Sequence, residues 1–166
     1  MDILWISFIG GLFGAVLMDI TEMLMFKFGI SSGVKGVYIG RWIAGMLKGV
    51  FIHRDIASSS AAPNEARIGQ LFHFIVGGGV VGAGYPVFLA ILGLDVSANH
   101  LIFATIYGFF TSLLPWFILM PCFGWGVFGV RAPTGSKPIV SPIISHTPFG
   151  LGVGITLMLI LNVYPS

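Results

Sequence analysis

Charge is what this sequence has least of. Asp, Glu, Lys and Arg together make up 8% of its 166 residues, against 56% hydrophobic ones, and the mean hydropathy is +0.98. A soluble domain carries roughly 25% charged residues, so water could not wet this surface and the solvent must be mostly lipid. Cysteine is nearly missing too. The lone Cys122 excludes an internal disulfide and leaves the redox compartment undetermined. Basic residues are missing before residue 27, between 68 and 130, and after 137. The first apolar stretch therefore has no basic leader, and no small-residue cleavage site precedes its acidic pair, so it reads as a retained helix rather than a signal peptide.

What is there is long apolar runs. Four of them, at about 3–26, 66–94, 100–121 and 142–163, reach the roughly 20 residues a helix needs to cross a bilayer. The expected fold class is an all-α membrane protein, one transmembrane domain over 1–166. All eight basic residues lie between or at the ends of the same loops: Lys27, Lys35, Arg41, Lys48, Arg54 and Arg67 around the first, Arg131 and Lys137 in the third. The positive-inside rule then puts residues 30–63 and 123–141 in the cytoplasm and both termini outside. The lipid bilayer is thus the first partner the sequence implies, and nothing in it suits nucleic acid.

Between the first two runs, Ile39, Trp42, Ile43, Met46, Leu47 and Val50 follow helical spacing, with Arg41 and Lys48 off the stripe. An amphipathic helix is expected over about 36–52, lying on the cytoplasmic leaflet or folded against the bundle. Residues 55–63, "DIASSSAAP", read as a flexible connector. Asn64 is an expected N-cap, with Glu65 in the first turn, where the helix dipole suits a carboxylate. Ser141 and Pro142 read the same way for the fourth run. Gly10 and Gly14, like Gly78 and Gly82, are four apart, the spacing at which membrane helices approach closely. Such faces serve packing within one chain, or a seam in a homo-oligomer or larger membrane complex. Pro86, Pro115 and Pro121 each remove a backbone hydrogen bond inside a run and should kink it.

Two stretches repeat. "HFIVGGGV" at 73–80 and "HTPFGLGV" at 146–153 both fit His-x-x-x-Gly-x-Gly-Val. Gly11-x-Phe13 and Gly108-x-Phe110 match more weakly. The pattern suggests two helix pairs related by a pseudo-two-fold axis along the membrane normal.

The candidate site follows from the cost of charge in lipid. Asp19 and Glu22 are three apart on one helical face, and counting back from Lys27 puts them roughly 7–12 Å inside the cytoplasmic end. His73 and His146 fall in the same half. Charged groups at that depth cost about 2.5–3.5 kcal/mol or more, so they should face inward and find one another. The leading reading is a transport or proton-relay site of Asp19, Glu22, His73 and His146, with Arg41 and Glu65 as contributors. A second is a membrane enzyme or redox carrier holding metal or haem on His73 and His146. A third is a structural subunit packed through its glycine faces. Each residue also has a plainer role open to it: Glu22 paired with Lys27 or Arg41, either histidine bonded to a carbonyl. No Glu-x-x-His or His-Glu-x-x-His motif is present, so no metal or other cofactor is specified, and enzymatic activity is left open. "HRD" at 53–55 lacks the following Asn of a kinase loop.

"GRW" at 40–42, "FIHRDI" at 51–56, Glu65 with "LFHF" at 71–74, and "SHTPFGLGV" at 145–153 occur in order along nearly the whole chain. In these landmarks the sequence resembles an uncharacterised family of small bacterial integral membrane proteins, the domain-of-unknown-function family 2938. The resemblance implies a four-helix protein of the bacterial inner membrane. It supplies no activity, substrate or catalytic residues.

Overall fold

The computed structural model describes residues 2–95 and 99–163. These residues are helical, with no strand among them. The first helix, α1, is Ile3–Lys27, and a shorter α2 is Gly36–Met46. A long helical segment α3 runs over Glu65–Ile91, α4 over His100–Cys122, and α5 over Lys137–Val163. The four long ones are apolar and long enough to cross a membrane.

Two spans are not uniform α-helices. In α3 the stretch His73–Val80 is a π-helix, and in α4 Pro115–Leu119 is another. The second begins at a proline that cannot donate its own backbone bond. The matching stretch at 146–153 is ordinary α-helix, so the two copies of the repeated motif differ in backbone.

The chain divides into two compact units, each of which takes unequal parts of the four spans. One comprises the described residues of 1–23, 74–111 and 144–166. Its core is Ile6, Tyr85, Leu89, Ala104, Phe149, Val153 and Leu157. In lipid the hydrophobic effect does not drive helices together, so close backbone packing must. A methyl group at Gly11 would overlap the Gly78 carbonyl oxygen, and one at Gly14 the Phe149 carbonyl oxygen. One at Gly108 would lie 2.5 Å from the Gly150 nitrogen. The kink expected at Pro86 is an interruption at Gly84. There the Tyr107 hydroxyl donates to the Val81 carbonyl, in the space a Gly84 side chain would fill.

The second unit comprises 24–73 and 112–143. Its core gathers Ile39, Trp42, Ile56, Met120, Phe123, Trp125 and Ala132. Trp42 meets Phe72 and Phe123 edge-on, with centroids 6.0 and 6.5 Å away. Thus Ile39 and Trp42, two of the six residues of the expected amphipathic stripe, are buried in protein. The helix also stops at Met46, six residues short of expectation, because Gly49 turns left-handed at φ +80°.

Three local expectations are corrected here. Asn64 does not cap α3 with its side chain; it adopts the left-handed conformation at φ 58°. The Ser141 hydroxyl accepts from the Ser32 amide at 3.1 Å, and α5 starts at Lys137, five residues before the expected first residue Pro142. The stretch 55–63 is tied down by side-chain hydrogen bonds rather than left loose.

Candidate functional site

Arg41 does the tying. Its Nε donates to Glu65 Oε2 at 2.9 Å and its Nη2 to Glu65 Oε1 at 2.8 Å, a two-pronged fork. Its Nη1 donates to the carbonyls of Ile56 and Ser59, both at 2.9 Å, and more weakly to Ala57 at 3.3 Å. Glu65 Oε2 also accepts the Ala62 amide at 2.8 Å. The hydrogen bond to Glu65 raises the Arg41 pKa above its ordinary value. Arg41 is therefore committed to Glu65 and the 56–59 backbone. The fork clamps the stretch between Ile56 and Glu65.

His53 lies just before the tied stretch 55–63, a strap between α2 and α3. Its Nδ1 lies 3.0 Å from Ser59 Oγ, and that hydroxyl donates to the Asp55 carbonyl at 2.9 Å. With the hydroxyl proton so used, Nδ1 is the protonated nitrogen and Nε2 carries the lone pair. Nε2 is buried against Gly45 with no hydrogen-bond partner. Burial first, and then the charge of Arg41, lower the His53 pKa. A lowered histidine pKa stabilises the fold fully above the unfolded value of about 6.5, and that stability is lost as pH falls through the folded value. The wild type should accordingly lose more thermal stability between about pH 7.5 and pH 5 than His53→Gln does. Equal losses in detergent-solubilised protein would remove His53 from the acid response.

In the other unit, His146 is fixed by Thr111. Thr111 Oγ1 donates to the Gly108 carbonyl at 2.6 Å and lies 2.8 Å from His146 Nδ1. The hydroxyl can then only accept from the ring. Nδ1 bears the proton, and in the neutral ring Nε2 is the basic nitrogen. The Phe149 ring stands 6.3 Å from the imidazole. Thr111 carries no charge and lies 35 residues from its partner, and the sequence reading missed it. The signal was a hydroxyl pair, Thr111-Ser112, within an apolar run.

Asp19 and Glu22 belong to this same unit. Burial separates them: Asp19 is exposed on the surface of the chain and Glu22 is half-buried, as is His146. The contacts of Gly10 with Val153 and of Gly14 with Phe149 show that α1 and α5 run antiparallel. Continuing that register puts His146 level with Leu17, about two residues along the axis from Asp19 and about five residues, roughly 7.5 Å, from Glu22. His73, half-buried at the start of the π-helix, falls in the other unit. Among the described residues, no three His, Cys, Asp or Glu side chains are grouped to hold a metal ion.

A further polar pair was not anticipated. Tyr85, fully buried, has its hydroxyl 3.1 Å from Nδ1 of His100, which opens α4. Tyr107 and Phe88 pack against the Tyr85 ring. In the sequence Tyr85 and Tyr107 count as aromatics in apolar runs, and their hydroxyls give no periodic signal.

The chain belongs to the family described as "Protein of unknown function (DUF2938)", whose family model matches residues 8–160. That span includes Asp19, Glu22, Arg41, Glu65, His73, Thr111 and His146. No curated protein and no solved structure matches the chain.

Proposed function

We propose that this family member is a small transport or proton-relay protein of the bacterial inner membrane, working at Asp19, Glu22 and His146. The observation that carries the reading is the Thr111–His146 pair. It holds the imidazole in one tautomer, with Nε2 as the proton-accepting nitrogen, near the axial level of Asp19 and about one and a half turns from Glu22. Ionisable groups at membrane depth are costly, and proton relays are a recurrent reason for keeping them. His73 is a second titratable ring in the cytoplasmic half, positioned where a π-helix begins, a backbone form frequent at functional sites.

The proposed orientation has both termini outside. All eight Lys and Arg residues lie within 24–73 and 112–143, the second unit, and none in the first. That segregation supports cytoplasmic loops at 30–63 and 123–141. The proposed two-fold repeat draws support from glycine contacts. Gly11 meets Gly78 between the first two spans, and Gly108 meets Gly150 between the last two. Aligned on the histidines, Gly150 corresponds to Gly77. The one-residue offset is what a π-helical stretch, with its longer turn, would introduce.

Proteoliposomes with an entrapped pH dye test the relay. Under an imposed potential, the wild type should acidify or alkalinise the lumen, and Glu22→Gln or His146→Gln should abolish the response. Thr111→Val, which frees Nδ1, should shift its pH dependence. Wild-type flux in both Glu22→Gln and His146→Gln would overturn the reading, provided their unfolding temperatures match the wild type.

A further inference from the structure

The expected surface helix buries Ile39 and Trp42 in protein, but the turn that follows it exposes the end of the same stripe, Leu47 and Val50, together with Phe51 and Ile52. Leu47, Phe51 and Ile52 are 86%, 60% and 70% exposed, and Val50 is exposed beside them. Lys48 and Arg54 are exposed at its flanks. A few residues on, the same loop exposes only small or polar side chains: Ala57, Ser58, Ser60 and Ala61. The large apolar side chains are therefore concentrated at one tip.

The tip is not slack chain that could fold them away. The amides of Lys48 and Val50 both donate to the Gly45 carbonyl at 2.9 Å, and Gly49 donates to Met46 at 3.0 Å. The Trp42 indole donates to the Phe51 carbonyl at 2.9 Å, and the His53 amide to Cys122 at 2.8 Å. Backbone bonds at both ends hold the apolar side chains outward. Large apolar groups clustered on a surface mark a contact site.

We infer that residues 47–52 form a wedge that inserts into the headgroup boundary of an anionic bilayer. The four apolar helices of the same chain supply the membrane. Apolar side chains flanked by lysine and arginine are the composition that binds an anionic interface: the chains enter the acyl boundary and the cations meet phosphate. The inference does not depend on proton movement or on which termini face out, since a nanodisc offers lipid on both sides.

Depth measurement decides it. The full chain, with Cys122→Ala, is reconstituted in nanodiscs of zwitterionic lipid or with about 30% anionic lipid. A nitroxide is placed at Leu47, Ile52 or Ser58, one at a time. In anionic discs the labels at 47 and 52 should collide severalfold more with oxygen than with a nickel chelate, and the label at 58 the reverse. Lys48→Glu with Arg54→Glu should raise nickel access at 52 in anionic discs and leave it unchanged in zwitterionic ones. Nickel access at 47 and 52 equal to that at 58 would overturn the wedge. So would shielding from both reagents, which would mean that protein, not lipid, covers the tip.

Discussion

Gly40→Val is expected to be the most damaging single change in the loop between the first two spans, with Gly69→Val close behind. A side chain at Gly40 would overlap the Glu65 carbonyl oxygen, and one at Gly69 the Gly36 carbonyl oxygen. These are reciprocal contacts between α2 and the first turns of α3. The intruded atoms are backbone, so no rotamer change relieves the clash. Displacing Glu65 would also pull its carboxylate from Arg41, and with it the anchor of the strap. Overpacking alone costs about 1–3 kcal/mol, occasionally more, and here the lost fork adds to it. Gly36→Ala is the control, because a side chain there meets nothing within 4 Å. It should change stability by no more than about 0.5 kcal/mol. Unfolding temperature and monodisperse yield in detergent read both. A Gly40→Val protein as stable as Gly36→Ala would show that the two helices can separate freely.

The four spans were legible because lipid sets one simple requirement, a long apolar run, and the chain meets it four times. The N-terminal boundaries of α1 and α3 fall within a residue of where hydropathy puts them. What the runs do not encode is which apolar neighbour each face meets. Ile39 and Trp42 have the spacing of a lipid-facing stripe and are covered by Phe72 and Phe123 instead, since protein and lipid make the same demand on an apolar side chain. Composition misled at 55–63 for a related reason. Serine and alanine have no local preference for order; the order comes from Arg41, fifteen residues before its first carbonyl partner. The π-helix at 73–80 follows from packing and has no signature in a glycine-rich run. Of the candidate site, the ionisable residues stand out because charge is so scarce, but the hydroxyl that fixes His146 does not. A threonine in an apolar run can satisfy its hydroxyl on its own helix, as Thr105 does on Leu101. Only the fold distinguishes Thr111, which bonds its own helix and the ring as well.

Glu65→Ala should cost about 3 kcal/mol, the low end for breaking a buried ion pair. The pair is 2.8 Å apart, with side chains only 11% and 14% exposed, so water replaces the lost partner poorly. Removing the carboxylate leaves the Arg41 charge with carbonyl oxygens alone and strips the Ala62 amide of its acceptor. Arg41→Lys should fail too, despite keeping the charge. One ammonium cannot span both Glu65 oxygens and also reach Ile56 and Ser59. The double change Arg41→Met with Glu65→Leu should recover much of the loss, because no charge is then stranded. A double-mutant cycle therefore separates the pair's own coupling from the penalty of orphaning one partner. Hydrogen exchange gives a local readout: the Ala62 amide should lose protection in Glu65→Ala while amides in the middle of α5 keep theirs. High salt should change the wild type little, since a pair this covered is weakly screened. If Glu65→Ala and Arg41→Lys each fall within about 0.5 kcal/mol of wild type, the fork is an ordinary surface pair and does not hold the strap.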